Sequence, residues 1–377
     1  MQWRGLAWLA CWLLGTAAAA AQVLPGEVER THLQSELATY HAFVRAYQEG
    51  SAESLDDLSR WDDKRLRRVL GAIDSKDDDL RPWGANRFKA AAIMHVDAAV
   101  RLLNRAENDA ALMQLETGVR LLQKGGPALR PYAGRWYQGV ARLLRGRSLP
   151  MMTGQLLETA RAWLPHDPTV LEESGMLEEL LATDSSLPAV FVAPGFGATM
   201  SRGGVATAAR LTTKDIEEAR ALRAEHLAKA AGWLRESLDA APSRELARLH
   251  LGRVQSLREQ YESALTLLAP VAASGDAATA YLACLFTGVV HERQGQFDAA
   301  AAAYRTAAER WPRNHAADVA LSSALRHSGR SVESREALER VVRGRGLDAD
   351  DPWRSYLIEP LIATLGRLEN LRREARP

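Results

Sequence analysis

The segment YLACLFTGVVHERQGQFDAAAAAYRTAAERWP, residues 281–312, decides the fold, because two helical stretches and the turn between them can be read in it. From Tyr281 to Arg293 the apolar positions Leu282, Leu285, Val289 and Val290 return with helical spacing, which predicts a first helix with one apolar side. Gly288 sits in its middle and leaves room for a neighbouring helix to approach closely. Gln294-Gly295-Gln296 makes the turn, since Gly295 takes a positive φ without a Cβ penalty and so closes the helix. Phe297, Ala300, Ala301, Tyr304 and Ala307 then recur every three or four residues, a large-small-large stripe on one face of a return helix. Trp311 ends the pattern, and Pro312 disfavours helix at the residue before it.

The same arrangement recurs across residues 245–344. Gly252, Gly288 and Ser322 lie mid-way along three helical runs, 36 and 34 residues apart, and each is followed by a polar turn and a second run containing Ala264, Ala300 or Ser334. A period in the thirties marks a chain of stacked helix pairs rather than one closed core. The expected class is therefore all-α, an α-solenoid of antiparallel helix pairs.

Gly288, Gly295, Ala300, Tyr304, Ala307 and Pro312 fall where the tetratricopeptide repeat motif wants glycine, turn glycine, alanine, aromatic, alanine and proline, so the middle unit resembles that family. The upstream unit is similar through Leu251, Gly252, Tyr261, Ala264 and Leu268, and the downstream one through Leu321, Gly329 and Leu338. The last unit departs at Ser322 and Ser334, where Gly and Ala are expected, and lacks the closing proline. Weaker echoes run upstream: Ala230, Leu234 and Pro242 look like a second helix, Ala160, Trp163, Pro165, Asp167 and Pro168 like a junction, and Leu171 and Gly175 like the start of another first helix. That first helix is expected to end near Leu181 and its partner to begin around Thr213, leaving an insert at residues 183–211. The resemblance implies a right-handed superhelix whose inner, first-helix face holds peptides or protein surfaces. On that implication Arg248, Gln255, Thr287, His291, Asp318 and Arg326 are candidate partner-binding residues, whereas Gly252, Ala264, Gly288, Gly295, Ala300, Tyr304, Ala307 and Pro312 serve the packing of the pairs.

The insert is apolar and rich in glycine at its centre, Ala189 to Met200. Phe191, Phe196 and Arg202 either tuck into the groove, contact a partner, or belong to a disordered loop; long inserts in compact folds often bind something. Its glycines end in no Gly-Lys-Ser/Thr and open no phosphate-binding helix, which argues against a nucleotide site.

Arg4, the apolar run Leu6–Leu14 and the small residues Ala17–Ala21 have the pattern of a secretory signal peptide cleaved before Gln22. The apolar core is too short for a dependable membrane span, so the expected product is periplasmic or secreted. Cleavage would leave Cys284 as the lone cysteine, on the apolar side of a repeat helix and suited to packing rather than nucleophilic chemistry. The domain reading that follows is a signal peptide at 1–21, an N-terminal helical region at 22–130 that is read as a cap with a separately folding domain as the alternative, divergent helix pairs with the insert at 131–244, the repeats at 245–344 and a C-terminal helical cap at 345–377. Tyr40, Phe43, Tyr47 and Trp61 supply apolar cover in the N-terminal cap.

Of 377 residues, 48 are basic and 47 acidic, so no net field draws nucleic acid or anionic lipid. His291-Glu292 opens like a zinc-protease helix, but Gly295 stands where the second histidine is required. His226 and His250 fall on different helices with no evident carboxylate pattern to unite them, and His315 and His327 read as surface or turn residues. Asp77-Asp78-Asp79 lacks the spaced oxygens of a calcium loop. Glu172-Glu173 and Glu178-Glu179 read as the polar side of an amphipathic helix, and Arg135, Arg142, Arg145 and Arg147 as charge on solvent-facing helix edges, with the grip of a carboxylate such as a peptide terminus as the alternative. No catalytic, metal or cofactor set emerges. The expected function is a non-enzymatic scaffold or adaptor for a protein or peptide, with a structural subunit of a cell-envelope assembly as the alternative and a cryptic hydrolase or carbohydrate-binding protein as the remote one.

Overall fold

A computed structural model describes residues 86–183, 213–312, 315–343, 351–356 and 361–374. The signal-like segment, the part of the N-terminal helical cap before residue 86, Asp77-Asp78-Asp79 and the insert residues Phe191, Phe196 and Arg202 lie outside them. Thirteen α-helices, and no strand, occur among the described residues. No described helix is long and apolar enough to cross a membrane.

The chain divides into two compact units, residues 1–133 with 369–377 and residues 134–368. In the first, α1 (Asn86–Asn104) and α2 (Asn108–Lys124) form a hairpin that buries Val96, Ala99 and Leu103 with Leu115, Val119 and Leu122. The first turn of α3 (Arg130–Gly146) and the last of α13 (Leu361–Glu374) also belong to it, joined where the Tyr132 hydroxyl donates to the Leu371 carbonyl at 3.1 Å.

The second unit is a run of helices in which each packs on the next: α4 (Pro150–Trp163), α5 (Pro168–Thr183), α6 (Thr213–Ala240), α7 (Glu245–Leu257), α8 (Tyr261–Ala272), α9 (Ala277–Arg293), α10 (Phe297–Arg310), α11 (Ala316–His327) and α12 (Ser331–Arg343). Helices α5, α7, α9 and α11 are the first members of four pairs, and α7 also touches both α5 and α9. The bounds of α9 and α10 follow the punctuation of residues 281–312: α9 ends at Arg293, Gly295 sits at φ 72°, and α10 stops before Trp311. Asp276 starts α9 by accepting a hydrogen bond from the Thr279 amide at 2.8 Å, satisfying one free donor of the first turn.

Close approach within a pair has one recurrent cause. A Cβ on Gly288 would lie 2.3 Å from Tyr304 Cε1, one on Gly252 would lie 2.8 Å from Leu268 Cδ2, and one on Gly175 would lie 2.5 Å from Leu234 Cγ. Glycine on the first helix thus receives a large side chain from the return helix, with buried Ala264 and Ala300 completing the contacts. The pair α5–α6 is therefore built like α7–α8 and α9–α10, although residues 184–212 separate its two helices.

In α11–α12 the two departures from the pattern answer each other. Ser322 Oγ and Ser334 Oγ lie 2.9 Å apart, buried, and Ser334 Oγ also reaches the Ser322 carbonyl at 2.8 Å. Leu338 is largely exposed instead of closing over the first helix. Ser334→Ala should cost about 1 kcal/mol by leaving the partner hydroxyl under-satisfied, while Ser322→Gly combined with Ser334→Ala should restore most of the loss. Denaturation midpoints of the two single variants and the double variant measure that coupling.

The intra-pair turns share a left-handed residue at the same place: Glu259 at φ 62°, Gly295 at 72° and Gly329 at 80°. A side chain in that conformation costs about 1–2 kcal/mol. Glu259→Gly should raise stability by about 0.5–1 kcal/mol after the added freedom of the unfolded chain is subtracted, read from a urea melt.

Candidate functional site

Helix α5 is buried almost all round, including Glu172, Glu173 and Glu179. Pro168 supplies its first turn, and Asp167 caps it by accepting from the Thr169 and Val170 amides at 2.9 and 3.1 Å. These carboxylates are not a solvated face, which corrects the expectation for Glu172-Glu173 and Glu178-Glu179. Desolvation is tolerated because each acid has a cationic or hydrogen-bonding partner.

Glu173, fully buried, accepts from Arg142 Nε at 2.6 Å and faces Arg145 Nη1 at 2.7 Å. Both arginines are buried as well, Arg142 to 5% exposure, so neither lies on a solvent-facing edge as expected; Arg135 does remain exposed. Burial alone would raise the Glu173 carboxyl, but the two guanidinium groups outweigh it and push it down to about 2. Glu172 is held from the other side by Arg244, whose Nε and Nη2 each donate at 2.9 Å in a bidentate fork.

A second cluster lies further along α5. Glu179 Oε1 accepts from Arg253 Nη1 at 2.8 Å, and Glu179 Oε2 lies 2.6 Å from His250 Nδ1. The Tyr356 hydroxyl donates to Glu179 Oε1 at 2.9 Å and stands 2.7 Å from His250 Nδ1. Burial works against the Glu179 anion, yet His250 and Arg253 hold its carboxyl below the usual carboxylate range. Burial and the adjacent Glu179 charge push the Tyr356 phenol well above its ordinary value, which keeps it a proton donor.

Aromatic rings enclose this cluster. The Arg253 guanidinium lies 4.8 Å from the Tyr356 ring centroid, 5.4 Å from Phe286 and 5.7 Å from Trp353. His250 stacks on Tyr356 at 4.5 Å, and Phe286 meets the same ring edge-on at 4.9 Å. Trp353 and Tyr356 belong to residues 351–356, a run of turns rather than helix, so within residues 345–377 only Leu361–Glu374 is helical among the described residues. Asp351 anchors the other end: its Oδ1 accepts from the Trp353 amide at 2.9 Å and its Oδ2 from the His315 amide at 3.4 Å, at the positive end of α11. One six-residue segment is thereby touched by α5, α7, α9 and the start of α11.

The expected binding residues are placed differently from one another. Gln255 is buried and turned towards α8, its amide 3.4 Å from Ser263 Oγ, and Asp318 is buried and accepts from Arg340 at 2.7 Å. Both are engaged within the fold. Thr287 hydrogen-bonds the Ala283 carbonyl at 2.9 Å, and His291 Nδ1 lies 2.8 Å from Gln296 Oε1; both are half-buried. Arg248 bonds the Pro242 carbonyl, and Arg326 is exposed. His226 and His250, read as having no carboxylate to join them, meet successive acids of α5, His226 facing Glu178 at 2.7 Å and His250 facing Glu179. His250, Arg253 and Phe286 stand one helical turn or less from residues that were singled out, but their convergence with Glu179 and Tyr356 has no local signature. Among the described residues no group of three or more His, Cys, Asp or Glu side chains is placed to hold a metal ion. Cys284 is buried, and desolvation raises its thiol, as suits a packing residue.

Residues 287–352 match the family model described as Tetratricopeptide repeat. No curated protein matches the chain. Among solved structures, MamA from Desulfovibrio magneticus RS-1 is 15% identical over 56% of this chain and 94% of its own, with a TM-score of 0.40. Pseudomonas aeruginosa pilF is 13% identical over 65% of this chain and 90% of its own, TM-score 0.40. A tetratricopeptide repeat protein from Parabacteroides merdae ATCC 43184 is 12% identical over 75% and 91%, TM-score 0.45. The family match and the glycine-dependent helix pairs agree on an all-α, tetratricopeptide-like repeat fold.

Proposed function

We propose that this chain is an exported, non-enzymatic adaptor that holds a protein or peptide partner on the face formed by α5, α7, α9 and α11. The observation that supports it is the treatment of residues 351–356: charged, aromatic and backbone groups from four successive first helices converge on one short non-helical segment. That is the chemistry of peptide recognition, in which buried side chains fix orientation and rings supply contact area. The helices satisfy their own backbones, so the face contributes side chains and presents no strand edge.

Export rests on residues 1–21. Expressed with a C-terminal tag, the chain should be recovered outside the cytoplasm with a mature terminus at Gln22. Full-length protein retaining Met1 in the cytoplasm would reject that part of the proposal. The insert contributes to partner contact on this reading, and capture with and without residues 186–207 isolates it: an identical partner set and unchanged melting after deletion would remove its binding role.

A further inference from the structure

We propose that Asp351–Tyr356 is a resident occupant of the recognition face, and that the partner bound there is a peptide segment of the same chemistry, a tyrosine preceded three residues earlier by an aromatic ring and, two residues before that, by a carboxylate. The inference rests on the peptide-binding reading and adds both a ligand class and a regulatory consequence: the partner binds by displacing the resident segment.

The surroundings of Tyr356 are made for a phenol. Its hydroxyl meets a buried carboxylate and a buried imidazole, Glu179 and His250, while its ring lies among Arg253, Phe286 and His250. An apolar plug needs none of these charges, and taking them out of water is unfavourable unless a hydroxyl donor completes them. Trp353 adds a second ring over Arg253 and against Phe286, 5.8 Å between ring centroids. Asp351 accepts from the His315 amide at the start of α11, as an acidic ligand residue would.

The segment also keeps its shape by itself. The Arg354 amide donates to the Asp351 carbonyl at 2.9 Å, the Ser355 amide to the Pro352 carbonyl at 3.2 Å, and Asp351 Oδ1 accepts from the Trp353 amide. Polar links to the helices include the Tyr356 hydroxyl and the Asp351 carboxylate, neither of which belongs to a helix's own hydrogen-bond ladder. An equivalent segment can therefore exchange with it without breaking a hydrogen bond internal to any helix. Tethering gives the resident segment an effective concentration of about millimolar, so it competes strongly with a free ligand.

The test titrates the acetylated, amidated hexapeptide Asp-Pro-Trp-Arg-Ser-Tyr, by calorimetry, into the full chain and into the Trp353→Ala/Tyr356→Ala variant. Saturable binding to the variant, at least ten-fold weaker binding to the wild type, and at least ten-fold weaker binding of a peptide carrying Phe in place of Tyr are expected. A folded variant that ignores the peptide, equal affinity for both proteins, or indifference to the tyrosine hydroxyl overturns the proposal. If the double variant does not fold, Tyr356→Phe takes its place; it loosens only the resident hydroxyl contact and should raise peptide affinity relative to wild type, and an unchanged affinity again overturns it. If a chain carrying the photocrosslinker p-benzoylphenylalanine in place of Thr287 captures a partner while the peptide tests fail, the adaptor reading is retained and the resident-occupant one is lost.

Discussion

Glu173→Gln should destabilise the second unit by about 3–5 kcal/mol, the usual consequence of removing one member of a buried ion pair. Arg142 and Arg145 would be left as buried cations facing an uncharged amide, with Glu172 still 3.8 Å from Arg142. The same residue sets the acid limit. In the fold its carboxyl is pushed down to about 2, against a reference of 4.5 in the unfolded chain. A depressed folded value means that the stabilisation is complete above the unfolded value and is lost as pH falls from about 4.5 towards 2. Wild-type stability, measured by urea melts at stepped pH, should therefore decline through that window, and the decline should be much shallower in Glu173→Gln. A variant as stable as wild type, with the same acid slope, would show that the network contributes nothing net.

Tyr304→Ala should cost a similar amount, about 3–5 kcal/mol, for a different reason. Tyr304 is fully buried, lies over the bare backbone of Gly288, and donates its hydroxyl to Glu292 Oε2 at 2.8 Å. Truncation opens a void between α9 and α10 that the helices cannot fill without moving together. Tyr304→Phe keeps the ring and should lose only about 1 kcal/mol, with some additional penalty if Glu292 is left poorly solvated. Because contacts in a repeat array run mainly between neighbours, hydrogen exchange should accelerate first in α9 and α10 and least in α5 and α6. Uniform acceleration across the unit would contradict a nearest-neighbour array.

Much of the fold was legible locally. Gly288, Gly295, Ala300, Tyr304 and Pro312 carry the α9–α10 pair in about thirty residues, since helix period, turn conformation and close approach are all short-range properties. The beginning of α6 at Thr213 and the resumption of the pattern at Ala230 and Leu234 could be read in the same way. The buried charges could not. Glu172, Glu173 and Glu179 look like solvent-facing acids until their partners are known, and those partners lie 31 residues upstream at Arg142, 71 downstream at His250 and 177 downstream at Tyr356. One signal was present: α5 carries four glutamates and no basic residue, while the arginine-rich stretch around Arg142 and Arg145 precedes it. The docking of Asp351–Tyr356 had no periodic signature, because a turn segment repeats nothing. Gln255 and Asp318 were chosen as non-core positions, but a first helix in such an array has neighbours on several sides, and both side chains were drawn into bonds with the next helix.

The first-helix face as a partner-binding surface is tested most directly by placing p-benzoylphenylalanine at Thr287, on α9 beside Phe286, or at Glu309, exposed on the return helix α10, and irradiating cells that produce each full-length chain. The account predicts a discrete crosslinked product from position 287 that is weak or missing from 309. Crosslinking confined to position 309, or the same products from both positions, would contradict it.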